Sequence, residues 1–264
     1  MPAPSDVPVF VLCGGFGTRL NGSAGDRPKP MLEVGDRPLL IHIMGWYARF
    51  GFRRFVICAG YRGEALASYF MMLPGILCDF TLDLRDRSVS YHQSDYMPDW
   101  EITVAHTGLH AMTGARVARA AARYLGDAEH FAVTYGDGLT DADLEEEFHY
   151  HLGHGALGTV LAVNPPSQFG RLQLDEDRVA AFAEKPISGD GWVNGGFFLF
   201  RRGFLDYLSC EEDCVLEGEP LTRLAADGGL RVFRHQGFWS CLDTPRDRER
   251  ICGLWESGAA PWKK

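Results

Sequence analysis

An apolar run at residues 7–12 passes directly into Cys13-Gly14-Gly15-Phe16-Gly17, and this constrains the fold more than any other feature of the chain. It reads as a buried strand entering a glycine loop. Pro38 then opens an amphipathic segment, residues 39–50, which Gly51 stops. Proline in the first turn and glycine just past the end punctuate a helix. Residues 55–59 repeat the buried-strand pattern, and residues 63–73 predict a second helix. Strand, loop, helix, strand, helix is the order of a doubly wound, mostly parallel α/β sheet. The chain has 264 residues, 46% of them hydrophobic, enough to bury a full core as one unit.

At residues 80–91 the apolar period shifts to two around Arg85-Asp86-Arg87, which predicts a β-hairpin inserted into the parallel pattern. Its face of Phe80, Leu82 and Leu84 suits either its own domain or a second subunit. Strands are expected at residues 102–107, 131–135, 156–163, 172–174, 179–183 and 196–200. Helices are expected at residues 115–125, 141–152, 204–208, 220–226 and 245–255. No repeat or linker interrupts them, so the expectation is a single domain over residues 1–264. Its core would be residues 7–200, with a C-terminal extension from residue 201.

Charge narrows the partners. The net charge is −9, whereas a nucleic-acid binder normally carries a basic face. Anionic substrates would then depend on a few local cations and a bound metal. No run of 18 apolar residues spans a membrane, and no basic-then-apolar leader opens the chain. Seven cysteines, an odd set partly inside apolar runs, suggest reduced, buried thiols in a cytoplasmic protein. Zinc held by Cys210, Cys214 and Cys241 lacks a second CxxC pair or a nearby HxxxH. His149, His151 and His154 end a helix, where cations suit the dipole and Gly153 or Gly155 would cap; this outweighs metal ligation.

Of 26 cationic residues only four are lysines. Lys263 and Lys264 form a solvated tail, but Lys29 and Lys185 each precede a proline in a loop. There a compact ammonium does something a planar guanidinium would not. The glycine loop brings backbone N–H groups close to phosphates. It lacks the third glycine of a dinucleotide fingerprint, although Asp36 stands where that fold's ribose acid would be, and it lacks the lysine of a P-loop. Arg27-Pro28-Lys29-Pro30 holds Lys29 in an extended segment.

Gly14-Gly15-Phe16-Gly17-Thr18-Arg19-Leu20 followed by Pro28-Lys29-Pro30 resembles the signature of the sugar nucleotidyltransferases. Further segments resemble their glucose-1-phosphate cytidylyltransferase branch. These are Thr134-Tyr135-Gly136-Asp137-Gly138, Phe169-Gly170, Glu184-Lys185-Pro186, Asn194-Gly195-Gly196-Phe197-Phe198, Gly237-Phe238-Trp239 and Asp243-Thr244. Gly253-Leu254-Trp255-Glu256 and Ala260-Pro261-Trp262-Lys263 complete the series, which runs in order along nearly the whole chain.

The resemblance implies a Rossmann-like nucleotidyltransferase fold and transfer of a cytidylyl group from CTP to glucose 1-phosphate. Leu12, Gly14, Gly15, Gly17, Thr18, Arg19 and Arg27 would bind the nucleotide, with Lys29 at the α-phosphate and Thr113 and Gly114 at the base. Asp137 and Asp243 would bind Mg²⁺. Lys185 would hold the sugar phosphate, and Gly170, Glu184, Asn194 and Gly195 the sugar. Arg19, Lys29, Asp137 and Lys185 would be the catalytic set. A homo-oligomer is also implied, hexamers among the assemblies, with neighbouring subunits close to the nucleotide. Independently of the resemblance, the composition of residues 21–27, two glycines with Ser23, Ala24 and the charge of Arg27, leads us to expect a lid that closes over the triphosphate.

The chain departs from the pattern at Arg27, where the family has Lys, and at His106-Thr107-Gly108, where it has Asp-Thr-Gly. The stretch from Leu109 to Arg116 diverges further, which leaves another nucleotide or another hexose open. A nicotinamide-dependent oxidoreductase would need the missing glycine. A catalytically silent nucleotide-sugar binder would be expected to have lost Lys29, Asp137 or Asp243, and all three are present.

Overall fold

The computed structural model describes residues 2–17, 27–92, 97–165, 171–175, 178–183 and 191–263. The first apolar run forms strand β1 (Pro8–Cys13), buried at every position. A short ribbon, β2 (Glu33–Val34) with β3 (Arg37–Pro38), precedes helix α1 (Leu39–Arg49). Then come β4 (Arg54–Ala59), α2 (Gly63–Leu77), the hairpin β5 (Phe80–Asp83) and β6 (Ser88–Tyr91), and β7 (Glu101–His106). Helix α3 (Thr113–Tyr124), β8 (His130–Tyr135), β9 (Gly138–Thr140), α4 (Leu144–His154) and β10 (Gly158–Val163) follow. A second hairpin pairs β11 (Arg171–Asp175) with β12 (Arg178–Ala183) before β13 (Val193–Arg201). The remaining elements are α5 (Glu219–Ala226), β14 (Leu230–His235), β15 (Trp239–Cys241) and α6 (Pro245–Glu256).

Seven strands form the central sheet in the order β14-β10-β13-β8-β1-β4-β7. Only β13 runs against the rest; the pairs β4–β7, β1–β4, β1–β8 and β10–β14 are parallel. The chain leaves β1 towards β4 and β7 on one side, then returns to lay β8 on the other. Between β1 and β8 lies a switch point, where a crevice opens at the carboxyl ends of the strands.

Helices cover both faces of the sheet. One core gathers Val9 and Val11 of β1 with Leu39, Leu40, Ile43 and Trp46 of α1 and Phe148 of α4. The other packs Phe10, Phe131, Phe198 and Phe200 against Val117, Ala120 and Ala121 of α3. Alternation within the apolar run of β1 thus sends neighbouring residues to opposite layers. Residues 201–263 supply the edge strand β14 and, through α6 and Trp262, part of the first core.

Several sequence expectations need correction. Helix α2 continues to Leu77, past Pro74, a residue that removes an N–H but lies in its last turn. The helix expected at residues 204–208 is a 3-10 helix, Arg202–Tyr207. Of the cysteines only Cys13 and Cys58 are buried, and Cys210 is exposed. Gly155, with φ +70°, does end α4. His151, however, is no cation at that terminus. Burial holds its pKa down to about 3, and it bridges His130 at 3.1 Å and Thr159 Oγ1 at 2.9 Å. Among the described residues no three His, Cys, Asp or Glu gather in a metal-holding group. No described helix is long and apolar enough to cross a membrane.

A candidate nucleotide-binding and catalytic site

A cleft of about 460 Å³ opens at the switch point, lined by Leu12, Gly14, Gly15 and Gly17 of the glycine loop together with Thr113, Tyr135 and Asp137. The parallel pairing of β1 and β8 continues to the edge of the cleft, Gly136 N donating to Leu12 O at 3.0 Å. A Cβ on Gly136 would lie 2.9 Å from both Cys13 Sγ and Pro30. Only glycine lets the two strand ends turn so near each other.

The floor of the cleft is a charge cluster drawn from three distant parts of the chain. Lys29, on a 3-10 turn after Pro28, donates to Asp137 Oδ2 at 2.6 Å and to Asp243 Oδ1 at 2.5 Å. The two carboxylates meet because β9 and β15 pair antiparallel, Gly138 opposite Cys241. Asp137 immediately precedes that ribbon and Asp243 follows it. A capping box at the start of α6 fixes Asp243 from behind, Asp247 Oδ2 accepting from the backbone N–H of Thr244 at 2.8 Å and of Asp243 at 3.3 Å. Burial alone would lower the Lys29 pKa, but the facing carboxylates of Asp137 and Asp243 outweigh it and raise it. The ammonium therefore stays charged. Two convergent carboxylates with a cation between them fit a hard divalent ion, which takes one or two protein carboxylates and completes its shell from phosphates. Beside them, burial and the acidic neighbour Asp243 push the Cys241 thiol up to about 12, so it is a proton-bearing wall and not a nucleophile.

Arg116 was not among the site residues read from the sequence. It sits on the buried face of α3, 5% exposed, and reaches the cleft wall. Its guanidinium donates to the carbonyls of Gly14 at 3.1 Å and Gly108 at 2.8 Å, and to Thr107 Oγ1 at 2.9 Å. A Cβ on Gly14 would strike it at 2.1 Å. No carboxylate among the described residues pairs with it, so a full positive charge lies behind the glycine loop. The signal in the sequence was an arginine among Ala115, Val117, Ala120 and Ala121 on an otherwise apolar helix face.

Other expected residues fall at varying distances from this centre. Thr113 lines the cleft, whereas Gly114 is pressed against Cys214 and Leu216. Asn194 turns its amide towards the Tyr135 hydroxyl at 3.5 Å, and the Gly195 carbonyl accepts from Trp239 Nε1 at 2.7 Å. Arg27 pairs with Glu33 at 2.5 Å, both side chains more than half exposed. Such a pair contributes about 0–1 kcal/mol, too little to lock Arg27 in place. Thr18, Arg19, Gly170, Glu184 and Lys185, and residues 21–26 of the expected lid, lie outside the described residues.

Comparison with known proteins fits this geometry. The nucleotidyl transferase family model matches residues 9–240. The glucose-1-phosphate cytidylyltransferases of Salmonella typhi and Salmonella typhimurium are each 40% identical over 255 residues, covering 97% of this chain and 98% of theirs. Among solved structures, HddC from Yersinia pseudotuberculosis superposes with a TM-score of 0.66 at 19% identity, covering 94% of this chain and 99% of that one.

Proposed function

The chain belongs to the nucleotidyl transferase family, and on that premise we propose that it transfers a cytidylyl group from CTP to α-D-glucose 1-phosphate, giving CDP-glucose and pyrophosphate. The observation that carries the reaction class is the meeting of Lys29, Asp137 and Asp243 on the floor of a glycine-lined switch-point cleft. The choice of CTP and glucose rests on the two Salmonella enzymes.

In this reading the sugar phosphate is its own nucleophile. One of its oxygens, already ionised at neutral pH, attacks the α-phosphorus in line, and the bond to the pyrophosphate oxygen breaks. No general base is needed, so the protein positions the reactants and offsets charge. Gly14, Gly15 and Gly17 admit the triphosphate close to the backbone, and Arg116 supplies a fixed positive charge behind that loop. Lys29 moves from its carboxylate partners to the α-phosphate. Asp137 and Asp243 would hold Mg²⁺, which when bound neutralises the phosphate oxygens. Arg19 joins the phosphates, Lys185 holds the sugar phosphate, and Gly170, Glu184, Asn194 and Gly195 take the hexose. The experiment is pyrophosphate release from CTP, UTP, GTP and dTTP, each with glucose 1-phosphate and Mg²⁺. CTP is expected to react at least about tenfold faster than the others, a gap of about 1.4 kcal/mol; equal rates would overturn the assignment of the base.

The working form in this reading is a homo-oligomer held in part by the β5–β6 hairpin. Phe80 pairs with Tyr91 and Leu82 with Val89, giving one apolar face. Phe80 and Tyr91 lean on α2 near Gly75, yet all four side chains stay about half exposed, continuous in kind with exposed Met71, Met72 and Ile76. Exposed apolar side chains gathered in this way suit an interface, and a second copy is the occupant we propose. Replacing Phe80 and Leu82 together with Asp is expected to convert the native oligomer to monomers in light scattering. A monomeric native protein at micromolar concentration would refute the assembly, and an oligomer that survives the double substitution would refute the hairpin's part in it.

A further inference from the structure

Glu217 stands on the loop before α5, exposed to solvent and outside every motif in the sequence. Its two carboxylate oxygens nevertheless hold two walls of the cleft. Oε1 accepts from the Tyr135 hydroxyl, and Oε2 accepts from Thr113 Oγ1 at 2.7 Å. Thr113 accepts in turn from Leu216 N at 2.9 Å, so one short stretch of loop engages the threonine as both donor and acceptor. The same loop takes up the first turn of α3, the Glu212 carbonyl accepting from Met112 N at 2.8 Å and the Cys214 carbonyl from Ala115 N at 3.0 Å.

What Glu217 joins is informative. Tyr135 ends β8, two residues before Asp137, and its hydroxyl also receives the Asn194 amide on the proposed sugar side. Thr113 opens α3, one turn before Arg116, on the proposed nucleotide side. Apart from Glu217, no hydrogen bond among the described residues ties the Tyr135 and Thr113 hydroxyls to a common atom or group. In the bond between them the Tyr135 phenol is the donor and the Glu217 carboxylate the acceptor.

We propose that Glu217 is a positioning residue, whose carboxylate fixes the Tyr135 and Thr113 hydroxyls relative to each other and so sets the spacing between the sugar-side and nucleotide-side walls. The inference rests on the nucleotidyl-transfer reading above. A carboxylate suits the task because two acceptor oxygens in one plane take two hydroxyl donors at once. A small error in this spacing is felt in the rate more than in binding, since in-line displacement depends on the alignment of the two phosphates.

The test is a pair of mutant cycles. Thr113→Val, Tyr135→Phe and the double substitution are made in the native chain and in the Glu217→Ala chain, and kcat and KM are measured with CTP and glucose 1-phosphate. Glu217→Ala alone is expected to lower kcat about tenfold or more while KM for either substrate changes less. In the native chain the two hydroxyl deletions should be non-additive in kcat by about fivefold, as for residues sharing one network. In the Glu217→Ala chain they should be additive. Glu217→Gln, which keeps one accepting oxygen, should recover part of kcat and confirms that the effect follows the hydrogen bonds. Circular dichroism melts accompany each variant. A lower melting temperature with kcat unchanged would assign Glu217 a purely structural part and overturn the proposal, as would non-additivity that persists without Glu217. If CTP is inert and another triphosphate of the panel reacts, the assignment of the base has failed, and the cycle is read with that triphosphate.

Discussion

Asp137→Asn and Asp243→Asn should each lower kcat by at least about 10²–10³-fold, the usual cost of removing one preorganised electrostatic group from a reacting centre. The two carboxylates flank the same end of the β9–β15 ribbon, beside the Gly138–Cys241 pair, and converge on one point, 2.6 and 2.5 Å from Lys29 Nζ. Asparagine keeps the shape and one acceptor oxygen but removes a negative charge, which weakens any hold on a divalent cation. The fold should survive, because both side chains are about one-third exposed or less buried than the core, and their neighbours are anchored independently. Asp243 is flanked by the α6 capping box, and the Asp137 carbonyl accepts from Leu242 N at 2.9 Å. Steady-state rates across a Mg²⁺ titration, with melting curves alongside, check both points. Near-native rates at saturating Mg²⁺ in either variant would remove that residue from the proposed metal site.

Lys29→Arg should cost about 10²-fold in kcat, whereas Arg27→Lys should change it less than about threefold. Lys29 presents a compact charge between two carboxylates on the cleft floor, its side chain 15% exposed. A guanidinium is wider, planar and rigid, and cannot place one point charge between two oxygens at such distances without displacing a wall. Misplacement of a charge by about 1 Å at the α-phosphate is enough for a loss of this size. Arg27 instead lies in solvent against Glu33, where either cation serves. Parallel kinetics on the two variants decide the matter. Equal losses would show that the lysine at position 29 is not selected for its shape.

Much of the architecture could be read from apolar runs. The strands β1, β4, β8, β10 and β13 were visible because a strand covered on both faces is continuously apolar, and the edge strand β7 showed through Ile102, Val104 and Ala105. The strand β14 was not. Its sequence, Leu230-Arg231-Val232-Phe233-Arg234-His235, alternates with arginine because it is a partly exposed edge strand. The β9–β15 ribbon escaped notice for a different reason. Each strand has three residues, with Gly138 in one and a tryptophan and a cysteine in the other, so neither makes a period that can be counted. That ribbon is what brings Asp137 to Asp243. The sequence motifs identified both acids, but their meeting was a tertiary fact. Arg116 and Glu217 show the complementary limit. One is a charge on an apolar helix face and the other an exposed acid on a loop, and local pattern assigns neither a role until the elements around them are in place.

The Lys29 cluster also bears on how the molecule is made. Its three charges are separated by 108 and 214 positions, so the cluster closes two of the longest loops in the chain, and such loops carry the entropy cost of closure before any contact rewards it. During synthesis β1, α1, β4, α2, β7, α3 and β8 can assemble on the amino-terminal side while the cleft still lacks one of its two acids. The order of emergence from the ribosome thus places the completion of the charge set after the completion of most of the sheet. A nascent chain halted before β15 would keep Lys29 paired to Asp137 alone, and would meet triphosphates with the scaffold of an enzyme but not its electrostatics.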